Sequence, residues 1–425
     1  MHMAFLLLTS PILRQTSHFQ ILRSLPSPLN YITGTIPIVL CKASYLYLLD
    51  LSNNALYGDL LDCLWDLPTL WFMDLSRNSF SGSFPISSTR TATLESLHIA
   101  SNKFNGTFPL FLRNCSRLIT LDLGGNSFSG EIPSWIAESL AKLRFLRLSS
   151  NMFDGIIPQE IFKFRQLQLL DLSHNKLKGP VPVDFTNLIV DFTNLIGMVQ
   201  EQGGEIMYDG LHLEWIELVW KNGDYIYSKT IAFVTGIDLS CNSLSQWIPE
   251  ELTTLHGLRY LNLSRNNLTG GIPEYIGNLA MLESLDLSWN RLSGQIPPSL
   301  ADLKFISSLN LSNNGLSGRM PTGSQLQTLD DPSIYSNNQG LCGPPLKECA
   351  NATAPTHSRT SQEDGRGTLW LYCFVVAGFI FGFWLSWGIL FCSKMWRYAF
   401  YQYVDNMQEK IAKKIAAYRR CRART

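Results

Sequence analysis

The chain has 425 residues, in which 34 Lys and Arg balance 34 Asp and Glu, so its composition gives no support to a nucleic-acid-binding class. Charged residues make up 16% and apolar residues 45%, which excludes long disorder and favours a regular core together with a membrane segment. The charge is uneven, because Ser393 to Thr425 holds nine Lys and Arg against two Asp and Glu.

The N-terminal residues 1–29 are predicted to be irregular. The apolar stretch from Ala4 to Leu8 is shorter than the core of a secretory signal, and it has no basic residue before it. Leu25-Pro26-Ser27 stands where a first repeat needs its strand, so we expect that strand to be missing. We interpret the chain as a truncated copy of a longer protein.

A repeat built around one asparagine dominates the sequence. The spacing is 24 or 25 residues with one gap of 67, at Asn30, Asn54, Asn78, Asn102, Asn126, Asn151, Asn175, Asn242, Asn266, Asn290 and Asn314. The clearest copy reads Leu285-x-Leu287-x-x-Asn290-x-Leu292-x-Gly294-x-Ile296-Pro297. This pattern is the signature of a leucine-rich repeat, whereas a coiled coil repeats every seven residues and separate helices show a period of 3.6.

Physical chemistry explains the pattern. The two leucines point inward from a short strand, and the asparagine can hydrogen-bond backbone groups that the following turn leaves unpaired. Glycine permits a positive φ, and proline fixes φ where the chain turns back. We therefore predict an α/β repeat fold, a leucine-rich repeat solenoid with a curved parallel sheet, plus one transmembrane helix.

The repeat positions divide the chain into segments. We predict repeats 1–7 over 30–182, an insertion over 183–232, repeats 8–11 over 233–325, a cysteine cap over 326–349, a juxtamembrane linker over 350–367, a transmembrane helix over 368–391 and a basic tail over 392–425. In the insertion, residues 183–189 recur unchanged as 190–196, which indicates a recent duplication or an assembly error. The stretches 211–220 and 225–227 alternate apolar and polar residues as strands do.

Cysteines and glycosylation sequons favour a secretory route. Cys342 and Cys349, seven residues apart, are predicted to close a disulfide cap over the last repeat, and Cys41 with Cys63 is a second option. Six sequons precede the predicted span, at Asn105, Asn114, Asn262, Asn267, Asn310 and Asn351. Glycans on Asn262 and Asn310 would narrow the concave surface, because both lie between the leucines of their strands.

The segment 368–391 carries no charge and is long enough to span a bilayer as a helix. The basic tail behind it places the C-terminus in the cytoplasm and the repeats outside, and it suits an anionic lipid surface. Gly378 and Gly382 form a small-residue stripe that permits close helix pairing. The prediction is a single-pass plasma-membrane protein.

Ligand contacts are expected on the concave face, where residues beside the inward leucines project outward. The less usual residues there are Phe72, Arg77, His98, Phe145, Arg147, His174, Tyr260 and Trp289. Aromatic and arginine side chains often anchor interfaces. No phosphate loop, H-E-x-x-H, G-x-S-x-G or kinase motif occurs, and the histidines lack the spacing of metal ligands. We predict a non-enzymatic protein without metal or cofactor.

These residues resemble the receptor-like proteins of plants. The resemblance rests on Leu112 to Leu123, Ile237 to Ser240, Pro249 to Leu252, Leu261 to Asn266, the Gly-Leu-Cys-Gly of the cap and the G-x-I-P ending of the repeat. It implies a kinase-less surface receptor in immunity or development, which binds a peptide, glycan or protein and signals through a partner receptor kinase. In that family the small-residue stripe and nearby acids are associated with adaptor pairing, which corresponds here to Gly378, Gly382, Glu363 and Asp364.

Two departures and two alternatives accompany this interpretation. Gln246 occupies the glycine position of its repeat, and the family's N-terminal cysteine cap is missing. One alternative is a fragment of a receptor serine/threonine kinase that lacks its kinase domain. The other is a secreted inhibitor of cell-wall hydrolases, against which the predicted membrane span argues.

Overall fold

The computed structural model describes residues 32–84, 93–182, 234–323 and 325–349, with the backbone of the strands Ile21–Arg23, Ile216–Trp220 and Gly223–Tyr227. The chain separates into two compact units, Met1–Cys349 and Ala350–Thr425, and the second lies outside the described residues. Within the described part, no helix is long and apolar enough to cross a membrane. The predicted span 368–391 and the tail lie outside that part.

The repeats stack into one parallel sheet of eleven strands in the described part of the chain. Its strands are Ile21–Arg23, Leu48–Asp50, Phe72–Asp74, Ser96–His98, Thr120–Asp122, Phe145–Arg147, Leu169–Asp171, Gly236–Asp238, Tyr260–Asn262, Ser284–Asp286 and Ser308–Asn310. The central residue of each strand pairs with its counterpart in the next repeat, as Leu121 does with Leu146. The predicted solenoid is therefore present.

The first strand differs from expectation. Ile21–Arg23 pairs in parallel with Leu48–Asp50, so the first repeat does have a strand. We expected none, because Leu25-Pro26-Ser27 stands where that strand was sought. The repeat is longer than the others, because Leu22 and Leu49 occupy equivalent positions. A proline after a strand is compatible with the strand, since it only prevents the strand from continuing.

The insertion does not interrupt the sheet. Leu169–Asp171 pairs directly with Gly236–Asp238, with Leu170 opposite Ile237. Within the insertion, Ile216–Trp220 and Gly223–Tyr227 form an antiparallel pair, with Trp220 opposite Gly223. The repeats on either side of the insertion therefore present one continuous surface.

Smaller parallel sheets run along the turn after each asparagine. One sheet contains Thr33–Gly34, Ala55–Asp59, Ser79–Gly82, Lys103–Gly106, Ser127–Glu131 and Met152–Asp154; a second contains Lys178–Pro180, Ser243–Gln246 and Asn267–Leu268; a third contains Ser293–Gln295, Gly315–Arg319 and Gly340–Cys342. Gly340–Cys342 continues the third sheet into the cap, beyond the eleven repeats that the asparagine spacing predicted.

In the described part of the chain, the helical segments are almost entirely 3₁₀ turns rather than the α-helices that an α/β label suggests. They are Ile38–Lys42, Asp62–Asp66, Leu110–Asn114, Gln159–Lys163, Glu250–Thr254, Ile276–Asn278, Pro298–Asp302, Leu326–Thr328 and Pro332–Tyr335, beside one α-helix, Ile136–Ser139. The physical reason is width, since an α-helix is about 10 Å across and strands stack about 4.8 Å apart. The narrower 3₁₀ turn suits stacking at that spacing.

The core is a continuous apolar cluster that runs between the sheets. In the first half, four successive repeats carry a phenylalanine two residues after the asparagine, and these rings stack in pairs: the ring centroids of Phe80 and Phe104 lie 6.3 Å apart, and those of Phe128 and Phe153 lie 6.2 Å apart. In the second half leucines such as Leu268 and Leu292 take these positions and are fully buried. Each repeat thus buries its apolar side chains against its neighbours.

The asparagine ladder holds successive repeats in register. Asn126 Nδ2 donates to the carbonyls of Leu123 at 3.0 Å and of Ile99, in the preceding repeat, at 3.0 Å, while its Oδ1 accepts the Phe104 N–H at 3.1 Å. The buried asparagine therefore pairs backbone groups in two repeats, as its position predicts. Asn338 makes the same contacts to Leu311 and Leu316 and extends the ladder into the cap.

Candidate functional site

The candidate site is the outer face of the eleven-stranded sheet, formed by the two residues that flank the inward side chain of each strand. Alternation along a strand sends Leu121 into the core and Thr120 and Asp122 to the outer face. Equivalent residues in adjacent repeats stand side by side, because the strands pair in register. The face therefore consists of rows of side chains.

The residues that follow the inward side chain of each strand form the second row of the outer face, and most of them are Asp or Asn. Each of these side chains accepts a hydrogen bond in the turn that follows its own strand. Asp74 Oδ1 accepts the Ser76 N–H at 2.9 Å, and Asp286 Oδ1 accepts the Ser288 N–H at 2.9 Å. Such an Asx turn ends the strand and directs the chain towards the ladder asparagine. The other carboxylate oxygen remains on the outer face for contacts with neighbouring repeats.

The residue before each ladder asparagine adopts a left-handed backbone, and we call these residues the turn row. The φ angles are 55° at Arg77, 54° at His174, 54° at Arg265 and 55° at Trp289. The conformation lets each turn-row N–H reach the next repeat, as Trp289 N–H reaches the Ser312 carbonyl at 3.0 Å. Asn, Ser and Gly occupy several other turn-row positions and suit this conformation better than large side chains do.

A polar network crosses the middle of the outer face. Arg147 Nη1 lies 3.2 Å from Asp122 Oδ2, and Arg147 Nε lies 3.4 Å from Asp171 Oδ2. Further along, the Tyr260 hydroxyl and Asn262 Nδ2 donate to Asp238 Oδ2 at 2.9 Å and 3.1 Å. The Arg147 guanidinium thus joins two carboxylates, one from the strand on each side of its own, which ties side-chain position to sheet register.

Burial changes the titration of this network. Burial raises the pKa of Asp238 from 3.8 to about 7, and the charge of Asp171 adds to the rise. Burial also raises the pKa of Asp74 to about 6, which the nearby His98 opposes. The pKa of Tyr260 rises well above its ordinary value through burial and the charge of Asp238. The face accordingly holds carboxyl groups that take up protons near neutral pH.

The eight predicted ligand residues fall into two groups. Five lie on strands of the outer face: Phe72, His98, Phe145, Arg147 and Tyr260. The other three, Arg77, His174 and Trp289, lie in the turn row rather than beside the leucines of a strand. The reason is that the Asx turn ends each strand two residues earlier than a simple alternation of inward and outward side chains assumes.

Exposure also differs among these residues. Phe72, His98, Phe145 and Tyr260 are buried, although Phe72, Phe145 and Tyr260 stand outside the apolar core cluster. Phe72 contacts His98 with ring centroids 5.6 Å apart, and the Arg144 guanidinium lies 5.7 Å from the Phe145 ring centroid. Arg147, Arg77 and His174 are partly exposed, and Trp289 is 47% exposed.

Sequence reasoning missed the carboxylates of the network as site residues. Asp122, Asp171 and Asp238 each follow the inward leucine or isoleucine of their strand, so they look like part of the repeat scaffold. A signal was present, because Arg147 takes that position in one repeat and faces a carboxylate one repeat away on either side.

The sequons occupy different environments. Asn105 and Asn114 are exposed, and Asn267 is partly exposed. Asn262 and Asn310 lie in the second row, and their amides are engaged: Asn262 Nδ2 bonds to Asp238, and Asn310 Nδ2 bonds to Ser288 Oγ at 3.1 Å. The remaining predicted residues, Asn351, Gly378, Gly382, Glu363 and Asp364, lie outside the described part of the chain.

Disulfides join Cys342 to Cys349 and Cys41 to Cys63, with Cα–Cα distances of 5.0 Å and 5.4 Å. The first closes the loop that follows the last strand, Gly340–Cys342, and the second links neighbouring 3₁₀ turns near the other end. Among the described residues, no group of three or more His, Cys, Asp and Glu side chains is arranged to hold a metal ion.

Comparisons with known proteins agree with this architecture. The Leucine Rich Repeat family profile matches residues 93–115, 117–139, 142–164, 166–188, 257–279 and 281–303. Receptor-like protein EIX2 of Solanum lycopersicum is 53% identical over 205 residues, which is 47% of this chain and 20% of that protein. Receptor-like protein EIX1 of the same plant is 52% identical over 197 residues, or 44% of this chain and 19% of that protein.

The chain therefore aligns with about a fifth of the length of these curated relatives. Among solved structures, that of PEPR1-AtPEP1 superposes with a TM-score of 0.57 at 29% identity, covering 74% of this chain and 41% of that one. Together, the repeats, the stacked parallel sheets and these matches show that the chain is built of leucine-rich repeats similar to those of plant receptor-like proteins.

Proposed function

We propose that the chain is a cell-surface receptor-like protein whose outer face binds an extracellular peptide, glycan or protein, and which signals through a partner receptor kinase. The observation that carries the proposal is the continuity of the outer face. Its sheet passes the insertion without a break between Leu169–Asp171 and Gly236–Asp238, so a ligand would meet one uninterrupted surface. Extended faces of this kind are the usual binding surfaces of solenoid proteins.

Side-chain variety on that face supports ligand binding over a purely structural role. The inward positions are nearly uniform leucine, whereas the outer positions change from repeat to repeat and include Arg147, Tyr260 and Trp289. The similarity to receptor-like proteins supports a receptor role, and the sequence of 368–391 supports an anchor in the plasma membrane. Repeats outside the cell and a cytoplasmic tail follow from the positive charge of that tail.

The first test is glycosidase treatment of the tagged full chain expressed in plant cells. We expect a mobility shift, and we expect the double variant Asn105→Gln with Asn114→Gln to reduce it, because both side chains are exposed. Protein that accumulates without any shift would show that the repeats do not reach the lumen, and the receptor assignment would fail.

The second test is affinity purification of the same chain from membranes, followed by identification of co-purifying kinases. We expect a receptor kinase with wild type and much less with Gly378→Leu and Gly382→Leu combined, because leucines would block close helix approach. A glycosylated chain that recovers equal kinase with and without these substitutions would overturn the pairing role of the stripe.

A further inference from the structure

Four turn-row residues of the C-terminal repeats form a stripe along the edge of the outer face. They are Arg265, Trp289, Asn313 and Asn337, and we call them the rim stripe. The Arg265 guanidinium lies 5.1 Å from the centroid of the Trp289 ring system, and Asn337 Nδ2 donates to Asn313 Oδ1 at 2.7 Å. Successive members are one strand spacing apart, about 4.8 Å.

Trp289 is unusual in this setting. It holds a φ of 55°, which Asn takes readily and a large side chain takes only with backbone strain. The residue is also 47% exposed, so about half of its surface stays open to solvent. The other exposed large apolar residues of these repeats, Trp247, Tyr275 and Phe305, lie outside the rim stripe and the outer-face rows. Part of the indole is therefore open to contact by a ligand.

The surroundings of Trp289 are polar and balanced in charge. Asn310 Nδ2 bonds to Ser288 Oγ at 3.1 Å and lies 3.4 Å from Asp286 Oδ2, and Asn313 Nδ2 bonds to Ser312 Oγ at 3.0 Å. The charge of Arg265 opposes the rise that burial causes in the pKa of Asp286. One cation thus faces one carboxyl group, so the area favours neither an anionic nor a cationic ligand.

A half-exposed indole beside amides, hydroxyls and one carboxyl group matches the chemistry of a neutral sugar. The C–H face of a pyranose ring stacks on an indole, while its hydroxyls both donate to and accept from amide and carboxyl groups. An apolar protein hot spot would instead need several large side chains packed around the tryptophan. We propose that the rim stripe, with Asp286 and Asn310, binds a neutral oligosaccharide, with Trp289 as its stacking platform.

This inference rests on the proposed function, because the repeats must face the cell exterior to meet such a ligand. It narrows the ligand class to a glycan and places it at the C-terminal end of the outer face. The network around Arg147 lies several repeats away and takes no part in it.

The test measures binding of neutral cello-, xylo- and chito-hexasaccharides to the full chain in mild detergent by calorimetry. We expect measurable affinity for at least one of them and at least tenfold weaker binding by Trp289→Asn. That variant should fold well, because Asn313 and Asn337 hold the same backbone conformation. Trp247→Ala is the matched control, since Trp247 is 61% exposed on a different surface, and it should bind as wild type does.

Three outcomes would overturn the inference: no neutral sugar bound by a folded wild-type chain, unchanged affinity in Trp289→Asn, or preference for an acidic oligogalacturonide. Trp289→Phe, which keeps a smaller ring, should lose only part of the affinity and covers the case in which Trp289→Asn misfolds. A chain that passes the glycosidase and kinase tests yet binds no sugar would refute this inference and leave the receptor assignment standing.

Discussion

Removal of one ladder asparagine tests the central claim about how the repeats are held together. Asn151 is 1% exposed, and its Nδ2 donates to the carbonyls of Leu123, Leu148 and Ser149 at 3.0, 3.1 and 3.2 Å. Its Oδ1 accepts the Phe128 N–H at 3.0 Å. Asn151→Ala deletes all four hydrogen bonds and leaves a buried N–H without its acceptor.

The expected cost follows from these contacts. The amide has two N–H groups shared among three carbonyls, so its donor side counts as two hydrogen bonds of about 1 kcal/mol net each. Stranding the buried Phe128 N–H costs about 1–3 kcal/mol more, so we expect Asn151→Ala to lower the free energy of unfolding by about 3–5 kcal/mol. Asn54→Ala is the matched control near the edge of the array, because Asn54 is partly exposed and water can replace its contacts. We expect that control to cost about 1–2 kcal/mol.

The assay is urea unfolding of the purified chain, followed by tryptophan fluorescence and circular dichroism. Asn151→Asp adds a pH signature, because a carboxylate would face three carbonyl oxygens, whereas the protonated acid can donate one hydrogen bond. Its stability should therefore recover as the pH is lowered. Equal losses in Asn151→Ala and Asn54→Ala, or a loss below about 1 kcal/mol in the former, would refute the ladder argument.

Three further predictions concern single side chains. Gln246 has a φ of 70° and is exposed, so Gln246→Gly should raise the unfolding temperature by relieving about 1 kcal/mol of backbone strain. Gly294 has a φ of 84°, and a Cβ added there would meet open space, so Gly294→Gln should lower the unfolding temperature by a similar amount through backbone strain alone. The buried Tyr335 hydroxyl has no hydrogen-bond partner among the described residues, so Tyr335→Phe should raise the free energy of unfolding in urea by about 1 kcal/mol. Tyr260→Phe loses the hydrogen bond to Asp238, so it should lower the free energy of unfolding. The pKa of Asp238 is raised from 3.8 to about 7 in the folded chain, so the stability that its protonated form contributes at low pH is lost progressively as the pH rises from about 4 to about 7. Unfolding midpoints should fall less steeply over that range in Asp238→Asn, and an unchanged slope would contradict the burial of this carboxyl group.

The repeat itself was predictable because its period is a property of the order of residues along the chain. The asparagine spacing, the inward leucines and the glycine turns follow from sequence, and the structure confirms the stacked parallel sheets. Asn338 escaped notice because its repeat lacks the L-x-L strand, although its spacing of 24 residues from Asn314 carried the signal. The first strand, Ile21–Arg23, escaped because its distance from the next strand departs from the period.

Side-chain roles on the outer face were less predictable. Residue type nominated Trp289 and Arg147, yet it could not separate the strand rows from the turn row, because the Asx turns reverse the chain within two residues of the strand. Nor could it separate the buried Phe72 and Phe145 from the exposed Trp289. Exposure depends on what lies next to a side chain in space.

The sequence by itself determined the repeat, its inward core and the approximate length of the array, since these depend on periodic local chemistry. Only the tertiary structure decided which carboxylates Arg147 joins, how far burial raises the pKa of Asp238 and which aromatic side chain stays open to a ligand. The physical reason is that hydrogen bonding, desolvation and exposure are properties of neighbours in space, and neighbouring repeats bring together residues that lie more than twenty positions apart along the chain.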